Sequence, residues 1–287
     1  MDHFAKTNNI QLHYLEHPGG VPPIVLLPGL TANAHVFDGL IEAGLSPRFC
    51  VLALDLRGRG LSDAPATGYT MANHAADVIG LLDALDLPQV VLAGHSFGGM
   101  LSLYIAAHYP ERVAHIVVMD AGIALAYPQT RDQIKPSLDR LGRVFLCWED
   151  YLEMIKDAPY LDGWWEPTIE SYFQADIRIN SDNSVQTRSR PDTIAAAMEG
   201  ILAEPWTSHL ASVRHRVVLI NAIGPYGPPG APPILSAEAA QETVTLLNHG
   251  RYVLVSGNHI TMLYGEGAKQ IVEVITSFVT EENHAFY

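Results

Sequence analysis

A serine lies between two glycines in the segment Gly94-His95-Ser96-Phe97-Gly98. The segment follows an apolar run and precedes a helical pattern, which is the context of the G-x-S-x-G turn that leads from a strand into a helix. In such a turn the serine adopts a strained backbone conformation, and the glycines remove side chains that would collide there. Ser96 would lie at the N-terminus of the helix, where developing negative charge is stabilised. The segment therefore predicts a serine nucleophile.

A serine hydroxyl is a poor nucleophile unless a base takes its proton. Among 13 histidines, His259 follows the last apolar run, "RYVLVSG", and this position places it near the same sheet edge as the serine. The chain order, with the nucleophile early and the base late, also fits. His95 points the wrong way along the turn, while His215 and His249 precede strands and lie at the opposite edge. We therefore predict His259 as the base.

The base needs an acid at its other ring nitrogen, which fixes the tautomer and stabilises the imidazolium. The segment 205–237 contains no Asp or Glu, so the strand "RVVLINA" within it is not followed by an acid. The strand 115–122 ends at the same sheet edge and contains Asp120. We predict that Asp120 lies within hydrogen-bond distance of Nδ1 of His259. Glu238, on a helical pattern, is the second candidate.

Short apolar runs that alternate with helical patterns must position these residues. They are rich in Val, Ile and Leu, which predicts a parallel sheet covered by helices on both faces. A preceding stretch, "IQLHYLEHPGG", predicts an antiparallel strand. The whole pattern indicates an α/β fold with a mostly parallel, doubly wound sheet. The runs are 22–29, 49–55, 89–95, 115–122, 216–222 and 251–257.

The alternation stops after Asp120 and resumes near Arg216. The residues in between are more helical than strand-like in pattern. We expect a core domain made of residues 1–122 and 213–287, with a helical cap inserted at 123–212. The Gly/Pro-rich loop at 224–233 has the composition of a rigid surface connection, and its role stays open.

Four segments make the chain resemble the α/β-hydrolase superfamily over essentially its whole length: "LLPGLTANAHVFD", "LDLRGRGLSDAP", "GHSFGG" and "GNH". The resemblance implies an oxyanion hole formed by the backbone N–H groups of Leu30 and Phe97. Pro28 replaces the histidine that the family usually has before Gly29. The oxyanion donors are backbone N–H groups, so this replacement does not remove them. The "RGRGLSD" region is similar to that of acetamidomethylene-succinate hydrolase-type members, and such members place the triad acid where Asp120 lies.

The amino-acid composition disfavours some kinds of binding partner. The 287 residues include 31 acidic and 17 basic side chains, and the formal net charge of −14 disfavours nucleic acid and anionic lipid. The N-terminus lacks a signal-peptide apolar region, and no run approaches the ~18 apolar residues of a membrane span. Cys50 and Cys147 are far apart and form no metal-binding motif. We expect a cytoplasmic protein without cofactor or metal.

The predicted reaction is acyl transfer to Ser96 followed by hydrolysis, which points to a carboxylic ester or lactone of a small, largely apolar substrate. The same triad could cleave an amide or a C–C bond. A ligand receptor or a cofactor-free oxygenase on this fold is a third reading. Aromatic cap residues are candidates for the substrate pocket, or they pack the cap against the sheet: Trp148, Tyr160, Trp164 and Trp165. The sequence leaves the oligomeric state open.

Overall fold

The computed structural model describes residues 1–127, 130–228 and 230–281. The strands are β1 (Asp2–Thr7), β2 (Ile10–His17), β3 (Ile24–Leu27), β4 (Val51–Leu54), β5 (Val90–His95), β6 (Val113–Met119), β7 (Val144–Phe145), β8 (Ile177–Ile179), β9 (Val185–Thr187), β10 (Val217–Asn221) and β11 (Gly250–Leu254). The helices are α1 (Asp38–Glu42), α2 (Leu45–Arg48), α3 (Met71–Ala84), α4 (Phe97–His108), α5 (Thr130–Gln133), α6 (Lys135–Leu138), α7 (Trp148–Lys156), α8 (Pro167–Asp176), α9 (Pro191–Leu202), α10 (Trp206–Ser212), α11 (Ala237–Thr245) and α12 (Gly265–Thr280).

Eight strands form one sheet in the order β1-β2-β4-β3-β5-β6-β10-β11. The pairs from β4 to β11 are parallel, while β1 and β2 pair with each other, and β2 with β4, in antiparallel fashion. Central strands such as β3, β4, β5 and β10 are buried along their whole length, because helices cover both faces. The predicted α/β class with a mostly parallel, doubly wound sheet is confirmed.

Parallel pairing brings the carboxyl ends of β5, β6, β10 and β11 to one edge of the sheet. Met119 at the end of β6 pairs with His95 at the end of β5 and with Ile220 in β10. Asn221 at the end of β10 pairs in turn with Leu254 at the end of β11. The loops that follow these strands therefore start side by side, and they carry the predicted serine, acid and base.

The residues between β6 and β10 leave the main sheet. We call the described part of 123–212 the cap. It contains helices α5 to α10, but it also holds a small antiparallel sheet in the order β7-β9-β8. The pattern did not predict this sheet, because its strands are only 2 or 3 residues long. It also missed β1, a partly exposed edge strand in a polar stretch.

None of the helices in the described ranges combines the length and apolarity needed to cross a membrane.

Asp55, at the end of β4, joins the N-terminal hairpin to the loop after β3. Its Oδ1 accepts a hydrogen bond from the backbone N–H of Ala34 at 2.7 Å, and its Oδ2 accepts one from Leu61 N–H at 2.8 Å. Oδ2 also lies 2.7 Å from Nδ1 of His13 on β2. All three interactions use a carboxylate that is 2% exposed. Asp55 therefore has a structural role and fixes the end of the loop that contains Leu30.

His13 should stabilise the fold in a pH-dependent way. Burial opposes its protonation, but the hydrogen bond and charge of Asp55, aided by Asp2, outweigh burial and raise the pKa of His13. A raised pKa in the folded state gives stability that is fully present below the unfolded value of ~6.5 and is lost as pH rises through the folded pKa. His13→Gln should therefore lower the free energy of unfolding by ~1–3 kcal/mol at pH 5.5 and by less at pH 8.5.

Urea denaturation at the two pH values measures this difference. His3→Gln, at a half-exposed histidine on β1, is the matched control and should show little change at either pH. An equal loss for His13→Gln at both pH values would contradict a charged His13–Asp55 pair.

Candidate active site

Ser96 lies at the turn between β5 and α4 with φ 53° and ψ −119°, a region that non-glycine residues seldom adopt. A Cβ atom added to Gly94 would lie 2.0 Å from the carbonyl oxygen of Gly98. A Cβ atom added to Gly98 would lie 1.9 Å from the carbonyl oxygen of Leu27. Both glycines are therefore required by close backbone contacts, and they allow the strained turn that holds the hydroxyl of Ser96 above the sheet edge.

The structure brings the three predicted catalytic residues together. Nε2 of His259 lies 3.0 Å from Oγ of Ser96, and Nδ1 of His259 lies 2.6 Å from Oδ2 of Asp120. Asp120 is fully buried and His259 is 5% exposed. With the carboxylate at Nδ1, that nitrogen carries the proton, which leaves Nε2 free to accept one from the serine hydroxyl. Glu238 lies apart from this cluster, exposed in the first turn of α11.

Asp120 is held by two further donors. Its Oδ1 accepts hydrogen bonds from Nδ2 of Asn221 at 2.6 Å and from the backbone N–H of Ala222 at 3.1 Å. The amide oxygen of Asn221 accepts in turn from the hydroxyl of Tyr252 at 2.9 Å. Sequence reasoning missed Asn221. The available signal was its place at the end of β10, the strand after which an acid was sought.

A second asparagine shapes the loop that carries His259. Oδ1 of Asn258 accepts from the backbone N–H groups of Ile260 and Thr261, each at 3.0 Å. Its Nδ2 donates to the carbonyl oxygens of Tyr160, at 2.8 Å, and Pro225, at 3.1 Å. Asn258 therefore connects the histidine loop to the cap and to the loop after β10. This contact could not be read from the sequence, since both partners are main-chain atoms far along the chain.

His95, at the end of β5, also contacts the loop that carries His259. Its Nε2 lies 2.7 Å from the carbonyl oxygen of His259, and the two rings lie 4.6 Å apart. Complete burial, together with the nearby His259, holds the pKa of His95 well below its ordinary value. A neutral His95 donates its Nε2–H to that carbonyl. Its position fits the sequence argument that it is not the base and gives it a structural role.

Leu30 and Phe97, the two residues expected to supply oxyanion donors, line the same cavity as Ser96. Phe97 is the first residue of α4, so its N–H group has no acceptor within the helix. The carbonyl oxygen of Leu30 accepts a hydrogen bond from Nε of Arg59 at 2.9 Å. The guanidinium of Arg59 lies 5.3 Å from the centre of the Phe97 ring, and complete burial lowers its pKa to about 9. Arg59 thus contacts both residues and fixes their relative position.

Two cavities meet at Ser96. The large cavity has a volume of about 390 Å³ and a mainly apolar lining that includes Leu125, Ile134 and Met198. The small cavity has a volume of about 50 Å³ and is lined by His259 together with polar side chains such as Tyr160 and Arg140. Leu30, Ser96, Ile134 and Leu138 line both cavities.

Of the four aromatic residues suggested for the substrate pocket, only Tyr160 lines one of these two cavities. Trp148 contacts Tyr151, and Trp164 contacts Tyr264, at ring distances of 5.8 and 5.6 Å. Trp165 stacks on Phe173 at 6.3 Å. These three tryptophans line neither of the two cavities and pack against other aromatic residues, which is the alternative that the sequence left open for them. Aliphatic residues line most of the large cavity instead.

Known proteins share this architecture. A family model for the α/β hydrolase fold matches residues 22–146. The crystal structure of E-2-(acetamidomethylene)succinate hydrolase superposes with a TM-score of 0.79 at 24% identity, covering 97% of this chain and 98% of that one. The chain therefore has the α/β hydrolase fold. The enol-lactonase from Burkholderia xenovorans LB400 superposes with a TM-score of 0.70 at 22% identity, covering 97% of this chain and all of that one.

Sequence similarity to a curated relative covers part of the chain. The 2-(acetamidomethylene)succinate hydrolase of Mesorhizobium japonicum is 39% identical over 123 residues. This match spans 42% of the present chain and 44% of that relative. The similarity therefore covers less than half of each protein.

Asp120→Asn should lower kcat by ~10²–10⁴-fold, because an amide favours the wrong imidazole tautomer and leaves the imidazolium uncompensated. Hydrolysis of p-nitrophenyl butyrate by the purified variant gives the measurement. Glu238→Gln is the matched control and should change kcat little, since Glu238 is exposed. The reverse order of effects would assign the acid to Glu238.

Asn221→Ala should lower kcat by ~10–100-fold, since it removes one hydrogen bond to a buried carboxylate that orients the base. KM should change less than kcat, because Asn221 lines neither of the two cavities beside Ser96. Asn248→Ala provides the control, since Asn248 donates to the carbonyl oxygens of Ala211 and Val213 instead. If the two variants lost activity equally, Asn221 would have no specific role in orienting Asp120.

Proposed function

We propose that this protein is a serine hydrolase that cleaves a carboxylic ester, open-chain or lactone, of a small and largely apolar substrate. The observation that carries the proposal is the continuous series of contacts from Ser96 through His259 to Asp120, with distances of 3.0 and 2.6 Å. A serine at a strained turn, a base at its hydroxyl and an acid behind the base are the three parts that acyl transfer requires.

In the proposed reaction, Nε2 of His259 takes the proton of Ser96 as Oγ attacks the ester carbonyl carbon. The negative charge that develops on the carbonyl oxygen is stabilised by the backbone N–H groups of Leu30 and Phe97, each worth ~3 kcal/mol. His259 then gives its proton to the leaving alkoxide oxygen as the C–O bond breaks. Asp120 stays ionised and stabilises the imidazolium.

Hydrolysis of the acyl-enzyme repeats these steps with water as the nucleophile. His259 takes a proton from the water, and Oγ of Ser96 leaves with that proton when the tetrahedral intermediate collapses. Residues of the protein perform each proton transfer, so the proposal includes no metal and no cofactor.

Two further observations support an ester or lactone as substrate. The apolar lining of the large cavity suits a substrate with hydrocarbon character. The structurally similar proteins include an enol-lactonase and a thermophilic esterase from Thermogutta terrifontis. The proposed partner of the chain is therefore a small ester.

Ser96→Ala should reduce the hydrolysis of p-nitrophenyl butyrate by ~10⁴-fold or more without unfolding the chain, because only the nucleophilic oxygen is lost. Ser102→Ala is the matched control. Ser102 lies on the same helix, where its hydroxyl donates to the carbonyl oxygen of Gly98 at 2.9 Å. Circular dichroism verifies folding of both variants.

A fluorophosphonate probe tests the same proposal without a substrate. Mass spectrometry should find the adduct on Ser96 in the wild-type chain, and labelling should disappear in Ser96→Ala. Wild-type turnover by Ser96→Ala would mean that another residue is the nucleophile. A chain that resists the probe while folded would favour a receptor or an oxygenase.

A further inference from the structure

The two cavities beside Ser96 differ in size and in the side chains that line them. The large cavity holds about 390 Å³ and the small cavity about 50 Å³. At ~10–15 Å³ for each water, the small cavity has room for about three to five water molecules. A substrate bound across Ser96 must therefore place its larger part in the large cavity and only a few heavy atoms in the small one.

The position of His259 decides which part is the leaving group. His259 lines the small cavity, together with Ile260 that follows it, and it is not among the residues that line the large cavity. In acyl transfer the protonated base must reach the leaving-group oxygen. The leaving group therefore lies on the His259 side of Ser96, in the small cavity. The acyl group extends in the other direction, into the large cavity.

The lining of the large cavity fits a hydrocarbon chain. Its walls include Leu125 and Ile134 from one side of the cap, Ile194 and Met198 from α9, and Ile234 from the loop after β10. Two residues of this lining, Tyr127 and Leu202, are 48% and 41% exposed, so the cavity reaches the protein surface beside them. An extended acyl chain would therefore bury its length against aliphatic side chains and reach towards solvent at its far end.

The lining of the small cavity combines apolar side chains with several hydroxyl groups. Tyr160 and Tyr226 stack with ring centres 4.9 Å apart, and burial raises the pKa of both phenols, so that they remain protonated donors. Ser137 also lines the cavity and its hydroxyl contacts that of Tyr226. These groups favour a leaving group that carries an additional hydrogen-bonding oxygen.

Arg140 adds a cation to the small cavity, but its charge is already compensated. Its Nε donates to Oδ2 of Asp176 at 2.8 Å, and both side chains are 2% exposed. The same carboxylate oxygen also accepts from the hydroxyl of Tyr151 at 2.6 Å. A second carboxylate brought by the substrate would repel Asp176. The polar groups of the small cavity therefore include no uncompensated positive charge, which suits an uncharged leaving group.

We infer that the substrates are esters of a medium-chain apolar acyl group with a short, uncharged, hydroxylated alcohol. This inference rests on the proposed acyl transfer to Ser96 and adds the orientation of the ester and the class of each half. It makes Met198 a specificity residue for the acyl group and Tyr160 one for the alcohol.

Two isomeric esters test the orientation. Ethyl octanoate and octyl acetate have the same atoms, but the long chain is on the acyl side in the first and on the alcohol side in the second. With each rate divided by that of hydroxide-catalysed hydrolysis, kcat/KM should favour ethyl octanoate by at least ~10-fold. Met198→Trp, which fills the large cavity, should reduce this preference. Leu146→Trp should keep it, because the same substituent is then placed on an exposed cap residue.

A second pair tests the polarity of the small cavity. Propyl octanoate and 2-hydroxyethyl octanoate differ by a terminal methyl and a hydroxyl group. The hydroxyl ester should have the higher kcat/KM, by ~3–10-fold, as expected for one added hydrogen bond. Tyr160→Phe should lower this ratio towards one, while Trp165→Phe, outside both cavities, should retain it. A preference for the propyl ester would overturn the polar assignment.

The outcomes separate this inference from the proposed function. A preference for octyl acetate, or equal rates for the two isomers, would overturn the orientation. If neither isomer were hydrolysed while p-nitrophenyl acetate was turned over by the wild type and not by Ser96→Ala, the inference would fail and the serine hydrolase would stand. If Ser96→Ala turned over p-nitrophenyl acetate as fast as the wild type, the proposed function would fail, and the inference with it.

Discussion

A buried carboxylate needs donors on both of its oxygens, and at Asp120 this requirement organises the sheet edge. Asp120 is fully buried, and its oxygens accept from His259 on one side and from Asn221 and Ala222 on the other. Leaving such a charge without partners would cost several kcal/mol. The loops after β6, β10 and β11 are therefore held in one arrangement by a single side chain, and the base acquires its orientation from the same contacts.

This arrangement explains why the last residue of β10 is an amide and not an acid. Nδ2 of Asn221 lies 2.6 Å from Asp120, so a carboxylate at the same position would face Asp120 across a hydrogen-bond distance. Two carboxylates that close cannot both ionise, and one would keep a proton at neutral pH. With the acid on β6, an amide is the side chain that the end of β10 requires. The residue types at positions 120 and 221 therefore depend on each other, and moving the acid to β10 would require changing both.

A feature of the fold or of the site could be predicted when it depends on residues close together in the sequence. The six parallel strands and the turn at Ser96 follow from short sequence patterns, and the position of Asp120 follows from where its strand ends. The edge strand β1, the small sheet of the cap and the packing of Trp165 on Phe173 depend on partners remote in sequence. Asn221 is an intermediate case. Its place at the end of β10 could be predicted from the sequence, but its hydrogen bond to Asp120 could not.

The position of the cap also depends on contacts between residues that are remote in sequence. Nη2 of Arg140 donates to the carbonyl oxygen of Thr31 at 3.2 Å, and Nδ2 of Asn33 donates to that of Tyr172 at 3.0 Å. Both bonds join the cap to the loop after β3, directly beside Leu30. A buried ion pair such as Arg140–Asp176 adds little net stability, because desolvation offsets its Coulomb energy, but it does fix geometry. This side of the cap is therefore anchored over the site.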